Sequence, residues 1–340
     1  MIKNTRLIAV CLCWFCFSCR EGNPIKPLET KSSWISITDG LTNQTIQCIT
    51  AVADDKQVIY AGTFNGVYKT RDGGSTWSAV NSGLTGLDVR SIAVHPENPD
   101  MVFCGTWGKG VFMSANAGET WSSCWREDQD PRIQVLRLSP HAAQQVWAGT
   151  ENGLYISEDL GVNWNKCLYG KISAIGLHPY DPKFVMVSIR YHGQIRSLDG
   201  GTTWEEVNTG IHRNDSGFVW ATTILYGPGD PNMIVIDTNG YKDMYLSSDG
   251  GLNWVPFAEQ LNPYDVSVLA ADPGNGLKMW AATLDQGVWR SVDGGTTWQA
   301  CNTGLPSLDI ESLCLIPGAD AVVLAGPIGQ GIYKYQDREK

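Results

Sequence analysis

Carboxylates are the side chains best placed by number to do chemistry here: Asp and Glu total 35, against 25 Lys and Arg and five His. Two acids held ~5 to 9.5 Å apart across a sugar can hydrolyse a glycoside, one protonating the leaving oxygen and the other activating water or attacking directly. Asp237 with Asp285, and Asp265 with Asp309, could meet in this way in a central groove. A chain this rich in acids brings some pair together on one face by accident, so no catalytic residue is assigned and recognition is the leading expectation. Its candidates are aromatic plates and cationic or polar groups: Trp107, Lys109, Trp125, Arg126, Arg132, Arg190, Tyr191, His192, Arg213, Trp220, Tyr241, Tyr264 and Asp285. A net charge of −10 argues against nucleic acid, which a uniformly acidic surface repels. No cofactor motif and no metal-ligand spacing occurs after residue 19, so no cofactor and no metal are expected.

These candidates lie between copies of a repeat, and the repeat must position them. The octet Ser291-Val-Asp-Gly-Gly-Thr-Thr-Trp298 has five relatives, ending at Trp77, Trp121, Trp164, Trp204 and Trp254. Each reads as a hairpin turn. An acid or amide (Asp72, Asn116, Asp159, Asp199, Asp249, Asp293) folds back on backbone N–H groups, glycine supplies positive φ, and the Trp opens the next strand. Trp34 heads a similar segment with no octet before it, and from Trp34 through the six octet Trp residues to Trp298 the spacing is 40 to 50 residues.

A period of this size with four strands is that of a propeller blade. In the second unit the strands read as 89–96, 101–106, 110–114 and a fourth from Trp121; the first recurs at 133–140, 172–179, 219–228, 266–273 and 310–317. After Trp298 only three strands remain, at 310–316, 321–325 and 331–335. The expected fold is therefore all-β, a single seven-bladed β-propeller of four-stranded antiparallel blades, the last closed by the N-terminal strand at Trp34. Alternating strand direction puts the octets and the turns between first and second strands on one face. The turns between second and third strands, and the links between blades, fall on the other. The octet face is short-looped and repetitive. The opposite face carries the divergent loops and every candidate contact above, although Asn65-Gly66 and Asn152-Gly153 there read as ordinary type I′ turns.

The octets resemble the Asp-box, or BNR, repeat, which implies a propeller but no single activity. The family's sialidases are six-bladed with an Arg-Ile-Pro motif, whereas Leu315-Ile-Pro317 lacks the Arg and lies at the other end. Its xyloglucanases set their cleft between two tandem propellers. The phrases Val89-Arg-Ser-Ile-Ala-Val-His-Pro96 and Val146-Trp-Ala-Gly-Thr-Glu-Asn-Gly153 are more similar to photosystem II assembly-factor propellers, non-catalytic holders of partners; their basic patch is partly echoed by Arg90, Arg126, Arg132, Arg190 and Arg213. The resemblance implies a protein- or glycan-binding scaffold, with a glycoside hydrolase as the alternative.

Residues 1–18 carry Lys3 and Arg6, no acid, and an apolar run from Leu7 to Phe17, too short to span ~30 Å of hydrocarbon as a helix. This resembles a lipoprotein signal with Cys19 as the lipidated residue. It implies export and a tether over 19–32, the propeller taking 33–340. The expected setting is the cell envelope, outer membrane or periplasm, or secretion. A protein or polysaccharide there is the expected partner, with membrane contact only through the lipid and a monomeric state. Cys48, Cys104, Cys124, Cys167, Cys301 and Cys314 fall at core positions of the repeat and read as buried free thiols.

Overall fold

A computed structural model describes residues 32–340 apart from 54, 215–216, 219, 228–229, 239–242, 263, 273, 317–321 and 337–340. Cys19 and Tyr241 lie outside the described residues, as does the whole of 1–31. The described chain forms seven four-stranded antiparallel sheets and one small hairpin. Blade one runs Ile46–Ala51, Ile59–Thr63, Gly66–Thr70 and Ser78–Ala79, and blade two runs Val89–Val94, Val102–Thr106, Gly110–Ser114 and Ser122–Ser123. Blades three, four, five and six begin at Ile133–Leu138, Ile172–Leu177, Ile224–Gly227 and Val266–Asp272. The link into blade five adds the hairpin Arg213–Asn214 with Gly217–Phe218.

Blade seven combines Ile310–Ile316, Val322–Pro327 and Tyr333–Gln336 with Trp34–Ser36 from the chain's beginning. Trp34 pairs with Tyr335 and Ser36 with Tyr333, so the ring closes by strand exchange between its two ends and no sheet edge is left open there. A further tie joins every neighbouring pair that has the turn Asn/Thr-x-Gly-Leu/Ile after its outer strand. Trp77, Trp121 and Trp254 donate their backbone N–H to Asp39, Ser82 and Thr209 of the preceding blade at 2.8, 2.8 and 2.9 Å, and Trp34 does so to Thr303 at 2.9 Å. Their indoles reach back as well, Trp77 to the Ile37 carbonyl at 2.7 Å and Trp34 to the Cys301 carbonyl at 2.5 Å. Blades two, three and five lack that turn; after blade two the Trp164 indole still reaches back, to the Cys124 carbonyl at 2.7 Å, whereas the indoles of Trp204 and Trp298 bond their own octets, at Gly201 and Gly295.

The glycine after each such acceptor leaves no choice of residue. Gly40, Gly83, Gly210 and Gly304 all have φ between 84° and 93°. A Cβ on any of them would run into the carbonyl oxygen of Trp77, Trp121, Trp254 or Trp34. Between the sheets lie seven hydrophobic clusters, each drawing on two adjacent blades; in one, Trp34, Trp280, Val288, Ile310 and Tyr335 pack together.

Candidate functional site

The octet turns consume their own polar groups. In the octet before Trp298, the Ser291 hydroxyl donates to Asp293 Oδ1 at 2.8 Å and accepts the Gly295 N–H at 2.8 Å, while Thr297 gives Asp293 its N–H at 2.9 Å and its hydroxyl at 2.6 Å. The pattern repeats at Asp72, Asp159, Asp199 and Asp249, and in neutral form at Asn116. Hydrogen bonds from these Ser, Thr and Asn side chains and backbone N–H groups hold Asp72, Asp199, Asp249 and Asp293 down to about 2. Each turn is also tied to the turn between first and second strands of its own blade, as in Gly73 N to Gln57 O at 3.0 Å and Ala117 N to Asp100 O at 2.7 Å. Two shallow depressions mark this face, of about 340 and 260 Å³, one beside Gln144 and Glu158 and the other beside Arg196 and Trp204. The octet acids are saturated, which leaves them little bonding capacity for a ligand.

On the opposite face the second-to-third turns bond the inter-blade links, as the strand order requires: Gly66 N to Leu87 O at 2.7 Å, Arg190 N to Lys171 O at 2.9 Å, Leu284 N to Asp265 O at 2.9 Å. The type I′ expectation fails here. Asn65 and Asn152 do not have positive φ. Instead, the Thr closing the second strand bridges the turn: Thr63 donates its hydroxyl to Gly66 O at 3.0 Å and accepts Asn65 N–H at 3.0 Å, and Thr150 does the same with Gly153 and Asn152 at 2.9 and 3.1 Å. The side chain supplies the bond that a left-handed backbone would otherwise have to arrange.

Two aromatic and arginine assemblies stand on this face. In the first, the Arg90 guanidinium lies 5.0 Å from the Phe64 ring centroid and 5.4 Å from that of Trp107, gripped by both oxygens of Asp88 at 2.7 and 3.0 Å. Trp107 also bridges by backbone to Arg132, whose guanidinium chelates Asp130 at 2.9 and 3.0 Å. In the second, Arg190 lies 5.6 Å from the Trp220 centroid, and Tyr191 meets Trp220 edge-on at 4.9 Å. Tyr191 is exposed and held at φ 68°, while Arg190 Nε and Trp220 Nε1 are buried without hydrogen-bond partners. The cluster thus keeps two unsatisfied donors inside and presents Tyr191 to solvent. His192 is exposed next to them and contacts the Arg190 carbonyl at 3.2 Å.

The remaining candidates scatter. Trp125 packs inward, edge-on to Tyr155 at 5.1 Å and Trp164 at 4.9 Å, so it is mainly a wedge between blades. Arg126 is exposed and closed on Asp128 at 3.0 Å. Tyr264 stacks on Trp289 at 5.5 Å. Lys109, Arg213 and Asp285 are exposed. Among the acids, Asp265 and Asp309 occupy the same position in successive links, each receiving the N–H of its second-to-third turn through its carbonyl, as Asp88 does. They mark the repeat rather than a groove.

Asp237 differs. It is buried, and its carboxylate accepts the N–H groups of Thr222 at 3.1 Å and Thr223 at 2.6 Å as well as the Thr222 hydroxyl. Burial pushes it up to about 6 against the pull of those donors. The shift suits a general acid, but every oxygen is engaged with Thr222 or Thr223.

The sequence reading passed over the inner strands. In six blades the pairing of the first strand skips one residue, namely Gln47, Arg90, Gln134, Ser173, Ser267 or Glu311. These bulges aim polar side chains at the inner ends of the blades. Arg90 Nη1 donates to Gln47 Oε1 at 2.9 Å, and Gln134 Nε2 donates to Glu151 at 2.8 Å, itself paired with Lys171 at 2.6 Å. Aligning the second residue of each first strand would have exposed the series. Cys48, Cys104, Cys124, Cys167 and Cys314 are free thiols; burial pushes Cys48, Cys124 and Cys167 up to about 12, which makes them poor nucleophiles. Among the described residues no group of three or more His, Cys, Asp and Glu side chains is arranged to hold a metal.

Comparison with solved structures confirms the propeller. The chain is similar to the GH74 xyloglucanase of Xanthomonas campestris, with a TM-score of 0.71 and 17% identity, covering 89% of this chain and 53% of the enzyme. It therefore spans about half of that enzyme's length. It is similar to YCF48 bound to D1 peptide, with a TM-score of 0.65 and 18% identity over 91% of this chain and 97% of that one. A third likeness is to the extracellular domain of a putative one-component system of B. thetaiotaomicron, at 0.69 and 16%, covering 89% of this chain and 40% of that one. No protein-family model and no curated protein matches the chain. At such identities the likenesses concern the fold.

Proposed function

We propose that this chain is an exported, non-catalytic propeller that binds a protein or glycan on the face opposite the octets. The reading rests on one contrast. Octet acids are saturated by their own turns, whereas the opposite face carries Phe64, Arg90 and Trp107, then Arg190, Tyr191 and Trp220, with two buried donors unsatisfied. Long non-repeating loops on a repetitive frame are where recognition usually resides. Its structural neighbours include YCF48 bound to D1 peptide and a xyloglucanase, one ligand a peptide and the other enzyme acting on a glycan. The signal-like residues 1–18 and Cys19 support export with a lipid anchor, and an extracellular domain among the neighbours agrees with export.

A glycoside hydrolase is the second reading, favoured by the raised Asp237 alone. Release of sugar from a polysaccharide panel, abolished by Asp237→Asn, would establish it; silence from well-folded protein removes it. The binding reading is tested by replacing Phe64, Trp107 and Trp220 with Ala together. Binding to the ligand found should weaken at least tenfold with the fold retained, and unaltered binding rejects this face.

A further inference from the structure

We propose that the axial channel of the propeller holds a small oxyanion, inorganic or carboxylate, on the guanidinium of Arg137. The first strands are the innermost elements, touching one another around the ring. Arg137 pairs with Trp147, and at the corresponding first-strand position, opposite Tyr60, Phe103, Met186, Val235, Trp280 and Leu324, the other blades carry Thr50, Ala93, Gly176, Leu225, Ala270 and Cys314; blade three alone places a charged group there. Arg137 is solvent-exposed although protein encloses it, as befits a side chain projecting into a channel. Its field is felt at Cys48, two blades away, which also feels Cys314 of blade seven.

A guanidinium cannot shed its proton, and the protein around this one disfavours its charge, which a bound anion would relieve. Arg137 Nη1 donates to the carbonyl of its neighbour Leu136 at 2.9 Å, and among the described residues no carboxylate forms an ion pair with it. The charged groups on the inner strands are otherwise three. Arg90 is neutralised by Asp88, Glu311 stands against Gln47 and Arg90, and Asp272 caps Gly274 at the strand's far end. Cys48 is no counter-ion either, since burial keeps its thiol protonated. What remains is a solvent-exposed planar fork of N–H donors on an innermost strand, the geometry that carboxylates and tetrahedral oxyanions bind in bidentate fashion.

The test is thermal unfolding of the wild type, Arg137→Gln and Arg137→Lys at constant ionic strength, with acetate or phosphate replacing chloride from about 1 to 100 mM. Wild-type Tm should climb by about 2–4 °C with anion concentration, as linkage requires. Arg137→Gln should stay flat and Arg137→Lys fall between. A rise with acetate alone assigns a carboxylate, and with phosphate alone an inorganic oxyanion. Parallel climbs in wild type and Arg137→Gln, or a flat wild type with both anions, overturn the site. If Arg137→Gln does not fold, wild-type crystals grown in selenate decide it: an anomalous peak within hydrogen-bond reach of Arg137 supports the site, and its absence overturns it.

Discussion

Replacing Asp237 by Asn should stabilise the protein at neutral pH, an outcome opposite to that of most core substitutions. Asp237 stands where the other second strands carry Gly62, Gly105, Gly149, Ser188, Ala282 and Gly326, and it takes over two Thr N–H groups in the one blade whose first strand has no bulge at its start. An amide oxygen can accept the same two N–H groups, and the amide N–H₂ can donate to the Thr222 hydroxyl. The substitution therefore removes a buried charge while keeping the bonds. With the folded group raised to about 6 and an unfolded Asp near ~3.9, the folded state holds its proton more tightly. The stability this group contributes is full below about pH 4 and is lost as pH rises through about 6. A shift of roughly two pK units corresponds to on the order of 2–3 kcal/mol, which for a propeller of this size is about 3–5 °C in Tm. Thermal unfolding of both proteins from pH 4 to 8 should show Asn higher by that amount at pH 7.5 and no difference at pH 4. A lower Tm for the variant at pH 7.5, or a gap independent of pH, would refute the reasoning.

Ring closure offers a second check: Trp34→Ala should cost about 3–5 kcal/mol, and Gly304→Ala, which forces a Cβ at φ 93° into the Trp34 carbonyl, should also unfold early. Denaturant midpoints unchanged in both variants would contradict closure by strand exchange. The octet acids act at the other end of the pH scale. Asp72, Asp199, Asp249 and Asp293 are depressed to about 2, so the stability they supply is present above an unfolded pKa of ~3.9 and lost as pH falls from about 5 towards 2. Replacing these four by Asn should flatten the acid limb of the unfolding curve; an identical limb would show that the carboxylates do not matter. Export through Cys19 is checked by mass: the mature N-terminus should carry acyl chains and sediment with membranes, and Cys19→Ala should be soluble, whereas an unacylated wild type would remove the anchor.

Much of the frame was legible because it repeats. Six octets and the surplus Trp34 placed the blades, and the count of three strands after Trp298 forced the closure seen at Trp34 and Tyr335. What the repeat hid were the exceptions within it. The Thr63 and Thr150 hydroxyls bridge turns that an Asn-Gly pair suggested would be type I′, because a side-chain bond substitutes for backbone conformation. First strands now start at Ile224 in blade five rather than 219, since Asp237 rather than a bulge takes the Thr222 and Thr223 N–H groups. On the candidate face, sequence placed Trp107, Arg190, Tyr191 and Trp220 in the right loops but could not show which would meet. Trp125 reads as an exposed plate in a polar link, yet Tyr155 and Trp164 take it inward, a packing decision made between blades rather than along the chain.

The reading stands or falls on which face binds. Wild-type protein and the Phe64, Trp107 and Trp220 triple Ala variant can be presented to one panel of oligosaccharides and unstructured peptides, with a control variant carrying Leu198→Ala and Val292→Ala on the octet turns. The account predicts a ligand retained by the control and lost by the triple variant, at least tenfold in Kd with Tm nearly unchanged. Loss in the octet-face control with binding intact in the triple variant would contradict it.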